Sequence, residues 1–451
     1  MASAAEQFAA NFNFGALAKA DELKKRIWFT LGALIVYRLG TYIPTPGIDP
    51  SALTEIFRQQ AGGIGGMLNM FTGGALQRMS IFALNIMPYI SASIIMQLLT
   101  AVMPSLEALK KEGEAGRKKI NQYTRYGTVL LATVQAYGIS VGLEGMQASM
   151  GSVVVDPGIF FRATTVITLV GGTVFLMWLG EQITQRGIGN GISLIIFSGI
   201  VANLPSALAQ TLELGRTGQI SAALIIFFLL MAIGVIAFIV FMERAQRRIL
   251  VQYPKRQVGN KMFGGESSHL PLKLNTAGVI PPIFASSLLL LPITILGFQS
   301  GQAASGGPEW LLTVTSLLGH GQPLYIAFYL ALIVFFCFFY TAVVFNPQDT
   351  ADNLKKYGGF IPGIRPGKNT ADYLDYVLTR LTVVGAIYLS LVCLLPELLI
   401  SRYAVPFYFG GTSLLIVVTV TLDTVGQIQS HLLAHQYEGL IKKSKLRGRR
   451  G

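Results

Sequence analysis

"GGIGGMLNMFTGGALQRMSIFALNIMPYISASIIMQLL" (residues 62–99) joins two pieces that want different surroundings. From Met79 the chain is apolar and uncharged through residue 103. That is enough for a span, which needs about 20 apolar residues. The piece before it, Gly62 to Arg78, is glycine-rich, charged at Arg78, and too short to cross. A half-segment brought up to a bilayer beside a full span is what the rest of the sequence has to explain.

Composition sets the class. Of 451 residues, 52% are hydrophobic and 13% charged, against about 25% charged in soluble proteins. Mean hydropathy is +0.55. This is a multispanning membrane protein by composition. Its net charge of +13 would suit a nucleic-acid partner, but positive-inside bias explains it more simply. Cys337 and Cys393 lie far apart in apolar runs, so neither a disulfide nor a metal site is expected. Residues 1–26 read as a polar cytoplasmic segment ending in Lys24, Lys25 and Arg26, not as a cleavable signal peptide.

Ten apolar segments follow, at about 27–43, 79–103, 127–145, 159–179, 192–210, 221–242, 275–297, 323–345, 378–400 and 406–428. With the N-terminus inside, 29 of the 35 Lys and Arg fall on cytoplasmic segments. The other six are Arg38, Arg58, Arg78, Arg162, Arg216 and Arg402. A missed or extra span would scramble that alternation, so ten spans with both termini cytoplasmic are predicted. "FALNIMPYISASIIMQLL" (82–99) can be laid on "TAGVIPPIFASSLLLLPI" (276–293), with Ala83/Ala277, Ile86/Ile280, Pro88/Pro282 and Ser93/Ser287 coinciding. These are spans 2 and 7. An odd offset of five makes the copies cross in opposite directions, as in an inverted repeat of spans 1–5 and 6–10. Chance similarity of two apolar helices is the alternative.

Two long basic loops, 243–274 and 346–377, have the composition to meet an anionic partner; enforcing topology is their plainer use. "PGIRPGKN" (362–369) fails as a phosphate loop: Pro362 stands where glycine is required and Asn369 where Ser or Thr is. ATP hydrolysis is excluded. His431 and His435 are four apart but lack a third ligand. No paired-carboxylate or nucleophile motif sits in the spans. Asp423 is the carboxylate placed well inside an apolar segment, toward the cytoplasmic end of span 10, where it could face a wet vestibule. Arg38, near the outer end of span 1, reads as snorkelling. A middle so poor in charge suits a passage that grips nothing and seals by apolar contact. It argues against a secondary transporter with an ion site.

"NMFTGGALQRMSIFALNIMPYISASIIMQLL", "GEQITQRGIGNGISLIIFSGIVANLP", "SSHLPLKLNTAGVIPPIFASS", "FNPQDTADNLKKYGGFIPGIRPG" and "VPFYFGGTSLLIVV" resemble the SecY family, which forms the channel subunit of the bacterial protein translocase. The resemblance covers about residues 22–440 in order. It implies an all-α membrane protein of the bacterial inner membrane, with ten transmembrane helices in two inverted pseudo-symmetric halves around a central pore. The halves would be residues 27–215 and 216–430, followed by a basic tail at 431–451. It implies no enzyme and no cofactor. The implied function is to pass unfolded secretory polypeptides across the membrane and release apolar segments sideways into the lipid bilayer.

By the same resemblance, residues of about 62–76 are a plug that folds back and closes the pore: Gly65, Gly66, Met67, Leu68, Asn69, Met70, Phe71, Gly73 and Gly74. An aliphatic ring falls on Ile86, Ile90, Ile192, Ile196, Ile283 and Ile416. The pairs 86/90 and 192/196 share a helix face, though plain core isoleucine has the same spacing. A lateral gate for signal sequences lies between spans 2–3 and 7–8, with polar positions Ser91, Gln97, Asn275 and Ser287. Docking of the ribosome (through its rRNA) and of the SecA motor ATPase falls on Arg247, Arg248, Lys255, Arg256, Lys261, Lys355, Lys356 and above all Arg365. Asn260-Lys261 departs from the adjacent basic pair common in the family. Small SecE-like and SecG-like subunits are implied as partners. A membrane-insertion scaffold without a pore is the remaining alternative, and it predicts no plug.

Overall fold

The computed structural model describes residues 20–59, 72–145, 147–148, 151–217, 221–254, 256–258, 261–263, 267–289, 322–403 and 411–447. In chain order the elements are α1 (Asp21–Gly40), α2 (Pro50–Gln59), α3 (Met87–Val102), α4 (Pro104–Lys111) and α5 (Glu114–Gly145). A two-residue pairing of β1 (Gln147–Ala148) with β2 (Gly151–Ser152) precedes α6 (Ile159–Arg186), α7 (Gly191–Arg216) and α8 (Ala222–Arg244). Next come β3 (Gln246–Gln252), β4 (Arg256–Val258), β5 (Lys261–Phe263) and β6 (Ser267–Lys273). The last helices are α9 (Ile280–Leu289), α10 (Pro323–Val344), α11 (Pro347–Lys356), α12 (Lys368–Tyr403) and α13 (Gly411–Arg447).

Among the described residues seven helices are long and apolar enough to cross a membrane: α5, α6, α7, α8, α10, α12 and α13. The pair α3 and α4 makes an eighth if taken as one span, bent by 98° at Met103, where α4 opens with Pro104. The two remaining expected spans coincide with α1, whose first turns carry Asp21, Glu22, Lys24, Lys25 and Arg26, and with α9, ten residues of span 7. Apolar side chains face outward along the long helices: Ile226, Phe227, Leu230, Ile233 and Phe241 on α8 are all exposed. Such surfaces are stable only in an apolar solvent.

The second span begins later than its hydropathy predicts. Residues 72–86 form successive turns, and the helix starts at Met87. Met79 (φ 43°) and Asn85 (φ 50°) take left-handed backbone, which interrupts a right-handed helix. Pro88, in the first turn, then opens α3. The turns are tied to the loop after α1: Thr45 N–H donates to the Met79 carbonyl at 2.9 Å, and Ile81 N–H to the Ile43 carbonyl at 3.0 Å.

The two basic loops are one folded unit. The arginine-rich stretch after α8 becomes an antiparallel ladder, with Arg248 opposite Pro271 and Val251 opposite Ser268. Charged residues had masked its alternation: Ile249 and Val251 point inward and their neighbours outward. Gln252 exchanges two 2.9 Å backbone hydrogen bonds with Phe360 of the second loop. Ile249 and Leu272 then share a small core with Ile361, Leu374 and Val377.

Helices α5 and α6 are stapled twice. Arg125 reaches Glu181 through two hydrogen bonds of 2.6 and 2.9 Å, and Arg162 reaches Glu144 likewise. In each helix the two charged residues stand 19 positions apart, about 28 Å along the axis. That is close to the hydrocarbon thickness of about 30 Å. The main apolar core gathers residues of α1, α3, α6–α10, α12 and α13.

Candidate functional site

At the centre of the main core four stretches of chain converge. Ile86 ends the run of turns, Ile90 lies in the first turns of α3, Ile196 is on α7, Ile283 on α9 and Ile416 on α13. Together with Asn85, Met87, Ser286 and Ser287 they line one cavity of about 10 Å³. This is the lower limit of room for a single water. Ile86 and Ile416 are 1% exposed, and Ile90 and Ile196 7%.

Ile192, the sixth expected ring position, does not line this cavity. It lies in the first turn of α7, where Asn190 Oδ1 caps the Ile192 N–H, and its side chain packs toward Gly180 of α6. The spacing of 192 and 196 marked a common helix face, but the helix entry turns the first of the pair toward a neighbouring helix. The polar members Asn85 and Ser286 were missed, and Ser287 was expected at the gate instead. Asn85 was hidden because its left-handed backbone belongs to no periodic pattern.

The expected gate positions scatter along the α3 and α9 region. Ser91 is buried, and Gln97 Oε1 and Ser287 Oγ are buried without a hydrogen-bond partner among the described residues. Asn275 Nδ2 donates to Glu243 Oε1 at 2.7 Å and to the Gly278 carbonyl at 3.0 Å. It ties the end of α8 to the approach to α9.

Below the constriction, on the side of the basic loops, opens a cavity of about 710 Å³. Its wall includes Asn190, which caps α7, Glu243 and Arg244 of α8, Lys273 of β6, residues 275–280, Tyr340 of α10, and the α13 face from Thr419 to Ser430. Asp423 is exposed on that wall. Glu243 was missed because it closes the very apolar run "FIVFMER" beside an arginine.

On the other side of the constriction, two arginines meet one carbonyl. Arg38 Nη1 donates to the Gly73 carbonyl at 2.8 Å and Arg78 Nη2 at 3.2 Å. Both guanidinium groups lie over the Tyr42 ring, at 5.0 and 4.1 Å from its centroid. Arg38 Nη2 also donates to the Tyr42 hydroxyl at 3.1 Å, and Tyr37 OH to the Thr72 carbonyl at 3.4 Å. Arg38 thus clasps the chain just before the constriction. Of the expected plug, Gly73 and Gly74 are described, while Gly65, Gly66, Met67, Leu68, Asn69, Met70 and Phe71 lie outside the described residues.

Arg247, Arg248, Lys355, Lys356 and Arg365 are exposed on the fused basic loops. Thr370 Oγ1 donates to the Arg365 carbonyl at 3.0 Å, which fixes that turn. Lys255 lies outside the described residues, and for Arg256 and Lys261 only the strands β4 and β5 are described.

A family model described as SecY matches residues 80–425. The protein translocase subunit SecY of Vibrio cholerae is 58% identical over 430 residues, covering 95% of this chain and 96% of the relative. That of Escherichia coli K12 is 56% identical over 427 residues, 95% and 96% of the two chains. Among solved structures, one described as a protein conducting channel superposes with a TM-score of 0.60 at 17% identity, covering 91% of this chain and 92% of its own. Sec61 in a canine ribosome-channel complex from the endoplasmic reticulum gives 0.58 at 16% identity, with the same coverage. At such identities the likeness is one of fold.

Proposed function

The chain belongs to the SecY family and is a channel subunit of a protein translocase rather than an enzyme; from that premise we propose which of its residues make the channel. Ile86, Ile90, Ile196, Ile283 and Ile416 form the closed neck of the pore. The observation that carries this is their convergence, from four separate stretches, on one cavity of about 10 Å³. Side chains on separate helices can move apart without breaking any element. Ile192 supports the helix that carries Ile196 and is not itself in the neck.

The basic loops face the cytoplasm of a bacterium and the chain spans its inner membrane, a reading supported by the 29 basic residues that one orientation collects on that side. The wide cavity is then the cytoplasmic vestibule. Unfolded polypeptide enters there and passes the neck, and apolar segments leave between α3 and α9. Arg365, Arg247, Arg248, Lys355 and Lys356 offer one surface to the ribosome or to a SecA motor, which supplies the energy. SecE-like and SecG-like subunits cover part of the exposed apolar flank.

The test is crosslinking in inverted vesicles. A single cysteine replaces Ile86 or Ile283 in a chain lacking Cys337 and Cys393, and a stalled secretory polypeptide carries the probe. Crosslinks at both positions are expected. Crosslinks confined to the basic loops would leave a docking scaffold in place of a channel.

A further inference from the structure

The vestibule wall holds two carboxylates that neck, gate and docking surface leave unused. We propose that Glu243 and Asp423 form an acidic seat for the positively charged start of a secretory signal sequence. The inference rests on the channel reading above and names which part of the substrate the vestibule recognises.

Three observations point there. First, both carboxylates line the same 710 Å³ cavity, a size that suits a ligand of several residues. Among the described residues neither makes an ion pair. Glu243 has one oxygen on Asn275, with the Tyr388 hydroxyl and Lys273 close by, and a carboxylate still has acceptor capacity to spare. Second, Thr419 lines the cavity too, 7% exposed, and its hydroxyl has no partner among the described residues. A buried hydroxyl left so costs free energy unless something bonds it. Thr419 and Asp423 are one turn apart on α13 and share a face. Third, Ile416 of the neck lies seven residues before Asp423 on the same helix, about 10 Å along the axis.

Signal sequences begin with a basic stretch followed by 7–15 apolar residues. A cation held at Asp423 and Glu243 would place the apolar stretch just below the neck, beside α9. Arg244 and Lys273 are on the same wall, so the vestibule has no net acidity. It retains a cation only at the carboxylates themselves. The Asn275 amide joins Glu243 to the approach to α9, so occupation of the seat bears directly on the gate segment.

Two precursors, stalled for crosslinking and unstalled for export, test this with the full channel in inverted vesicles. One carries four lysines before its apolar stretch and the other four glutamines. A carbodiimide condenses a lysine amine with a carboxylate that touches it. Amide links from the lysine precursor to Glu243 or Asp423 are expected. The ratio of lysine- to glutamine-precursor export should fall about fivefold when E243Q and D423N are combined, the value of two modest ion pairs. D423K should in turn favour a precursor whose start carries glutamates. Links only to other carboxylates, with an unchanged ratio and no reversal, would overturn the seat. Passage is scored separately in the unmodified chain: no passage there counts against the channel, whereas passage without charge preference counts against the seat alone.

Discussion

Gly73 carries more constraint than its size suggests. Its φ is +66°, and a Cβ there would lie 3.0 Å from Gly199 Cα on α7 and 3.1 Å from Arg38 Nη1. Its carbonyl receives both arginines. Gly73→Ala should therefore loosen the clasp, by strain of about 1–2 kcal/mol from the backbone alone. The measurement is the thermal midpoint of the purified channel, which should fall by several degrees. Gly32→Ala is the control, since nothing stands within 4 Å of its would-be Cβ. At this scale the sequence was uneven. Five of the six isoleucines named through family likeness line one small cavity, and Asp423 stood out by its isolation in an apolar run. The arginine clasp was not, because its acceptor is a backbone carbonyl 35 residues from Arg38 and leaves no mark on side-chain pattern.

Helices and their order were legible from hydropathy and charge alternation, because lipid forces both to follow the bilayer. What hydropathy could not supply was the point where an apolar run stops being a helix, as at 79–86. Nor could it reveal a ladder within a charged loop. The clamps between α5 and α6 make a prediction about elements. Each arginine binds its carboxylate through two nitrogens, so removing one charge leaves the partner badly satisfied. Glu144→Gln should lower the thermal midpoint by a few degrees, and Arg162→Gln added to it should cost little more, since the pair is already broken. Additive losses would mean that the two residues act independently. On the fused basic unit, Arg365→Glu should reduce motor-driven export severalfold while leaving the fold intact by circular dichroism. Normal export would remove Arg365 from the docking surface.

The whole molecule is a set of apolar helices around the proposed neck, where the free volume is only about 10 Å³. A polar side chain in that neck would draw water where the native lining excludes it. Ile196→Asn should raise the resting ion conductance of reconstituted vesicles at least severalfold, and an unchanged conductance would show that Ile196 does not close the path. The same substitution removes a buried aliphatic side chain, whose burial is worth about 1.5–3 kcal/mol, so protein recovery has to be compared alongside.

The disparity between the proposed vestibule, about 710 Å³, and the proposed neck, about 10 Å³, also has an electrical meaning. Water in the wide part conducts, so little of the membrane voltage falls across it. The drop is concentrated at the dry neck, where a moving charge gains about 2.3 kcal/mol per 100 mV. A charged residue of a passing chain therefore feels the field as a short, steep step beside Ile86 and Ile416, not as a gentle slope across the bilayer.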